Sequence, residues 1–263
     1  MNEPLEFFDT HCHLSARYLK SSVSEVIENA REHGVTRMTV IGCGPTIEET
    51  VESVEIARAH DGVFAAVGLH PHEAKSWTSE MGAAIEELSR DPKVVAIGET
   101  GLDYFYDLSP RDAQEEAFRA QIAIAQRLDL PLIIHNRGSD EDCIRILQDC
   151  CASGMRGVVH CYTSGPELAR CALDLGFHIG FTGIITFKNA EEVRDILRMV
   201  PLDRIVIETD SPFLAPTPYR GKTNQPAYVA HVAAGVAKTL GLSLSEVAER
   251  TTHNALTLYG LLP

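Results

Sequence analysis

Eight short runs rich in β-formers alternate with amphipathic helical stretches along the whole chain, and few folds accommodate that alternation. The runs cover residues 5–13, 36–41, 63–69, 94–98, 131–134, 157–159, 177–181 and 204–207. Between them the spacing of apolar positions predicts helices over 23–33, 48–60, 83–90, 114–128, 142–152, 168–175 and 190–199, and two more, 228–240 and 245–258, close the chain. Most of the runs are apolar throughout, which suits parallel strands buried on both faces. Eight βα units in 263 residues predict an α/β fold, a closed (β/α)8 TIM-type barrel, with an open doubly wound sheet as the alternative. Glycines and prolines are scattered, and no linker or internal repeat interrupts the pattern, so residues 1–263 read as one domain.

Several classes of protein are disfavoured by composition. The start, Met1-Asn2-Glu3-Pro4, lacks a basic segment leading into an apolar one, and no later apolar run approaches the length of a membrane span. A cytoplasmic protein with no membrane partner is expected. Seven cysteines in no tight framework fit buried thiols in a reducing compartment. With 23 Lys and Arg against 37 Asp and Glu, the net charge of −14 repels nucleic acid at long range. Any polyanionic substrate therefore needs a local cationic feature, and bound metal ions supply one.

A barrel places chemistry at the C-terminal ends of its strands and in the loops that follow. Read in turn, those ends are Asp9-Thr10-His11-Cys12-His13, Gly68-Leu69-His70-Pro71-His72, Gly98-Glu99-Thr100-Gly101-Leu102-Asp103-Tyr104, His135-Asn136-Arg137, His160-Cys161-Tyr162 and Glu208-Thr209-Asp210-Ser211-Pro212. Strand side chains alternate, so His11 and His13 point to one face and form half of a metal site, while Cys12 and Cys161 are expected to point away from the histidines they follow. An isolated His-x-His is more often a pair of hydrogen-bonded core residues; its recurrence with carboxylates at one rim favours a metal centre. His33, His60, His178, His231 and His253 fall in helices or at a strand start and read as structural or exposed, and Trp77 as loop packing.

The ordered set of rim motifs resembles the TatD family of metal-dependent DNases over essentially the whole chain. The resemblance implies a barrel of the metal-dependent hydrolase class with two divalent metal ions, of the Zn, Mg or Mn type. By position, His11, His13, Glu99 and Asp210 would hold one ion and Glu99, His135 and His160 the other, with Glu99 bridging. It further implies phosphodiester hydrolysis, most often 3′ to 5′ exonuclease action on DNA, on single strands or 3′ ends.

The residue types make sense for that chemistry. Two ions roughly 3.5–4 Å apart activate a water and bind the non-bridging phosphate oxygens. A glutamate can give one oxygen to each, and neutral imidazoles fill positions without adding negative charge. Asp210 would ligate and orient the attacking water, Glu208 would support a ligand or move a proton unless it pairs with a nearby Arg or Lys, and His70 would contact a phosphate or the leaving group unless it merely rigidifies a turn. Arg137 and the basic segment Tyr219-Arg220-Gly221-Lys222-Thr223-Asn224 supply candidate substrate contacts, Arg220, Lys222 and Asn224 among them. Tyr162, like Tyr104, Phe105 and Tyr106, could stack on a splayed base. The family usually shows an acidic residue after the arginine; here Gly138-Ser139 follows Arg137, and Tyr162 stands where phenylalanine is frequent. Two other readings remain: a barrel hydrolase acting on C–N, ester or small phosphoester bonds, and a non-catalytic scaffold. Glu99 stands where related amidohydrolases use a modified lysine, which counts against the first, and the intact ligand set counts against the second. The acidic surface fits a monomer acting on strand ends.

Overall fold

The computed structural model describes residues 5–151 and 154–262. Eight strands, β1 Phe7–Cys12, β2 Val35–Gly42, β3 Val63–Val67, β4 Val94–Asp103, β5 Leu132–Arg137, β6 Gly157–Val159, β7 His178–Phe181 and β8 Ile205–Ile207, lie in sequence order, each parallel to the next. Helices α1 Val23–Glu32, α2 Ile47–Ala59, α3 Ser79–Leu88, α4 Arg111–Leu128, α5 Asp140–Cys150, α6 Pro166–Asp174, α7 Glu191–Met199, α8 Val229–Leu240 and α9 Leu244–Leu258 complete the barrel. Helices cover the outer face of the sheet and closure of the barrel buries its inner face, which is why the strands carry almost no exposed residues. No single described helix is long and apolar enough to cross a membrane.

The seam between β1 and β8 is closed by a few bonds rather than a ladder. Asp210 N donates to His11 O at 2.9 Å, His13 N to Ser211 O at 2.8 Å, and Cys12 and Ser211 form an isolated bridge. Buried Asp9 stitches the same seam, accepting Thr209 N at 2.8 Å and Thr209 Oγ1 at 2.5 Å. The barrel interior is filled by Phe8, Ile41, Ala66, Ala96, Ile133, Val158 and Val206, and the end of α9 adds Leu258 and Tyr259, whose hydroxyl donates to Thr10 O at 2.9 Å.

Element order matches the sequence reading, with differences at the boundaries. β4 continues five residues beyond Gly98, through Asp103, because Thr100 to Asp103 pair with β5. Helix α3 begins at Ser79, not residue 83, since Thr78 caps it by accepting Met81 N at 3.1 Å. Helix α5 runs from Asp140 to Cys150; the expected end at Ala152, like Met1-Asn2-Glu3-Pro4, lies outside the described residues. Four short 3₁₀ segments, Pro71–Ser76, Gly183–Thr186, Leu202–Arg204 and Pro226–Tyr228, were not anticipated.

Candidate metal centre

Two β-bulges shape the centre. Between Asp9 and Cys12, β1 takes one residue more than β2, and between Ile97 and Thr100, β4 takes one more than β5. A bulge turns a side chain off the strand's alternation, and these two carry His11 and Glu99. Gly98 and Gly101 make the second possible: with φ of +146° and +134° they pass so close to β5 that a Cβ would stand 2.6 Å from Ile133 O and 2.0 Å from His135 O.

Around one oxygen of Glu99 the donors form a tight set. His11 Nε2 and His13 Nε2 are 3.4 Å apart, and they lie 3.4 and 4.0 Å from Glu99 Oε2. Asp210 Oδ1 stands 3.7 and 3.5 Å from the same two nitrogens. Donors held about 2.0–2.2 Å from one tetrahedral ion lie roughly 3.3–3.6 Å from each other, so the set is close to what an ion requires. Asp210 reaches it because its φ of +53° turns the chain just after β8.

The other oxygen, Oε1, meets His160 Nε2 at 2.7 Å, His135 Nδ1 at 2.9 Å and His70 Nε2 at 3.4 Å. His135 and His160 are 3.4 Å apart through Nδ1 and Nε2. The first two distances are hydrogen-bond lengths. Burial alone would lower His160, but Glu99 and Glu208 outweigh it and hold the ring well above the usual histidine range. His135 is likewise lowered by burial and raised on balance by its bonds to Asp103 and Glu99. Burial would raise Glu99, yet His160, His70 and His11 hold it well below the usual carboxylate range. Among the described residues no Lys or Arg comes within ion-pairing distance of buried Glu99 or of Asp210. A divalent cation is the natural counter-charge for such a donor set.

Tautomers separate ligands from supports. His135 Nε2 faces Asp103 Oδ2 at 3.0 Å, so in the neutral ring Nε2 carries the proton and Nδ1, beside Glu99, is left with the lone pair that would ligate a cation. His70 Nδ1 accepts from His72 N at 3.1 Å, so Nε2 carries the proton and His70 acts as a hydrogen-bond donor. Burial pushes His70 down to about 4, keeping it neutral.

Behind these groups stand Asp103, Gln121 and Cys43, for which the sequence suggested no role, and Glu208, for which it suggested support of a ligand or proton transfer. Asp103 is fully buried and uses Oδ2 to hold both His135 and, at 2.8 Å, His72 Nε2. Gln121 on α4 accepts Leu69 N at 2.7 Å and donates to Thr100 Oγ1 at 2.7 Å, fixing the neighbours of His70 and Glu99. Cys43 Sγ lies 3.9 Å from Glu99 Oε2. Glu208 pairs with no Arg or Lys among the described residues; it accepts Cys161 N at 2.5 Å, and its Oε1 is 3.4 Å from His160 Nδ1. In Asp103 and Gln121 the only sequence signal was a polar residue inside an otherwise apolar pattern.

A cleft of about 670 Å³ opens over the centre, lined by His13, His70, Glu99, Arg137, His160 and Asp210 among others. Cys161 also lines it, contrary to the alternation argument, because a φ of +45° ends strand geometry there. Other expected substrate contacts are corrected. Tyr162 is buried, its hydroxyl donating to Gly165 O at 2.6 Å, and Asn224 is buried and donates to Thr209 O at 2.8 Å and Phe213 O at 2.6 Å; both are packing residues. Arg220 lies 3.7 Å over the Phe187 ring and Lys222 5.8 Å over Tyr219, and neither lines the cleft, because Arg220 is drawn onto the loop after β7 and Lys222 onto its own segment. Trp77 packs against the core as read.

A parallel eight-stranded barrel with histidines and carboxylates gathered at its C-terminal rim defines a metal-dependent hydrolase. The chain belongs to the family of TatD related DNases, whose profile matches residues 8–260. It is 45% identical over 253 residues to the uncharacterized metal-dependent hydrolase YabD of Bacillus subtilis (strain 168), covering 96% of this chain and 98% of that one. It is 36% identical over 260 residues to the 3′-5′ ssDNA/RNA exonuclease TatD of Rahnella sp. (strain Y9602), covering 97% and 98%. A crystal structure of YJJV, a TatD homologue from Escherichia coli K12, superposes with a TM-score of 0.90 at 28% identity, covering 98% of each chain.

Proposed function

We propose that this metal-dependent hydrolase is a phosphodiesterase that removes nucleotides from the 3′ end of single-stranded DNA, using two divalent ions. The observation that carries the reading is Glu99, whose two oxygens face two separate donor groups, His11 and His13 on one side and His135 and His160 on the other. A carboxylate so placed would be able to give one oxygen to each of two cations, with His11, His13 and Asp210 holding one and His135 and His160 the other. When bound, such ions would lower the cost of deprotonating a water and offset the charge of the phosphodiester.

The chain's own residues supply the rest. Asp210, at the open side of the first donor group, orients the attacking water and takes its proton. Neutral His70 lines the cleft with Nε2–H 3.4 Å from Glu99 Oε1, and with substrate bound it would donate to a phosphate oxygen or to the leaving oxygen. Glu208 holds His160 from behind. Arg137 adds a fixed cation at the cleft wall. Every proposed ligand comes from one chain, which supports a monomer as the unit of activity. The relatives named as ssDNA/RNA exonucleases support a nucleic-acid substrate.

The test is hydrolysis of 3′-labelled and 5′-labelled single-stranded DNA with added Mg²⁺, Mn²⁺ or Zn²⁺ and with chelator, beside Glu99→Ala. Mononucleotides released from the 3′ end, lost with chelator and in the variant, are expected. Protein shown by elemental analysis to be metal-loaded, yet cleaving no strand with any ion, would redirect the search to small phosphoesters, esters or amides.

A further inference from the structure

The wall of the cleft formed after β4 and β5 carries an unusual group of exposed side chains. Phe105 and Tyr106 are 65% and 52% exposed, with rings 5.1 Å apart and nearly perpendicular. The Arg137 guanidinium lies 4.2 Å from the first ring and 4.7 Å from the second. Most arginines in this acidic protein pair with a carboxylate, but among the described residues Arg137 has none within ion-pairing distance. Its charge is available to a ligand.

The group is tied to the metal centre by one carboxylate. Asp103 Oδ1 accepts Phe105 N at 3.1 Å and Tyr106 N at 2.8 Å, while its Oδ2 holds His72 and His135. The Tyr106 ring, on the cleft wall, lies 5.4 Å from the His72 ring. On the far side of Arg137 a second cavity of about 600 Å³ opens, and its lining includes three carboxylates, Asp140, Glu141 and Asp142, so a phosphate chain is held on the cleft side of the arginine. The cavity shares Arg137 and Thr163 with the catalytic cleft, so the arginine stands on the ridge between the two spaces.

We propose that Phe105, Tyr106 and Arg137 form a platform for the nucleotide next to the scissile bond, holding an unpaired strand at the rim of the catalytic cleft. The inference rests on the nucleic-acid reading above and specifies how that substrate is held. With a net charge of −14 the surface cannot attract phosphates at large, so a strand is gripped where a cation is left unpaired. Two exposed aromatic faces beside that cation match a base and its phosphate, and every base has a π-face, so the grip is tolerant of sequence. A duplex buries its base faces against one another and gains nothing from the platform. Single-strand preference follows.

The experiment measures binding of a fluorescein-labelled, phosphorothioate-linked oligothymidylate, which resists cleavage, and of a matched duplex to the metal-loaded protein. Wild type is expected to prefer the single strand. Phe105→Ala and Tyr106→Ala should each weaken it by about tenfold, and Phe105→Trp should retain it. Arg137→Gln should reduce the slope of log affinity against log salt by about 0.7, the value for one phosphate contact on a single strand. Because these side chains are exposed, unchanged thermal unfolding verifies the fold. Single-strand affinity unaltered in both alanine variants overturns the platform, even if wild type degrades DNA. Wild type that binds strands through these residues but never cleaves them leaves the platform standing and removes the exonuclease reading.

Discussion

One carboxyl oxygen of Asp103 holds two imidazoles, and that economy decides which nitrogen of His135 faces the metal centre. Burial would raise the acid, but its bonds to His135, His72 and Tyr106 N hold it far below the usual carboxylate range. Asp103→Asn keeps the shape and removes the charge that fixes the tautomer. It should weaken metal binding by about 10- to 100-fold, read by chelator competition, with the fold retained. Metal affinity equal to wild type would show that His135 is oriented by packing alone. Residues of this supporting kind were the hardest to read from sequence. His11, His13, Glu99 and Asp210 announce themselves by type and spacing, whereas Asp103 acts through hydrogen bonds to residues 31 and 32 positions away. Tyr162 and Asn224 err in the opposite direction: polar tips beside a rim suggested contacts, but each hydroxyl or amide is spent on a backbone carbonyl.

At the level of elements, β4 shows why strand boundaries mislead. Glycines at 98 and 101 among polar residues look like a turn, yet the chain stays paired to β5 through Asp103 because glycine alone tolerates the positive φ and close approach that the bulge demands. Gly101→Ala should therefore cost about 1–3 kcal/mol from the backbone conformation alone, read as a lower urea midpoint, and more if His135 O must move aside. Metal content should fall with it, since the displaced carbonyl belongs to a ligand. A stable variant with full metal content would mean that β4 and β5 can part without disturbing the centre. The helices were legible because their apolar stripes recur every third or fourth residue; the short 3₁₀ segments have no room for such a stripe.

For the whole molecule, His178 sets an acid limit. On β7 it is two residues before Gly180, whose α-carbon faces the Glu208 carboxylate, so His178 lies inside the barrel on the same face. It is buried, and neither ring nitrogen has a well-formed hydrogen bond. Burial and Arg204 push it from 6.5 down to about 4. The unfolded chain takes up the proton as pH falls below about 6.5 and the folded one resists until about 4, so stability declines across that window by about 1.4 kcal/mol per unit. Urea unfolding at neutral and acidic pH should show His178→Leu losing less stability on acidification than wild type; identical losses would place the acid sensitivity elsewhere. The eight-fold order was readable because each βα unit repeats one pattern, but the closure was not. Nothing in the sequence signals that Asp9 and Thr209, nearly the full chain apart, stitch β1 to the segment after β8. That seam brings Asp210 to His11 and His13, so the donor set is incomplete until the last strand has been made and docked. A chain whose last strand has not yet been made therefore lacks Asp210 from its donor set, and hydrolysis at this centre waits on the closing of the barrel.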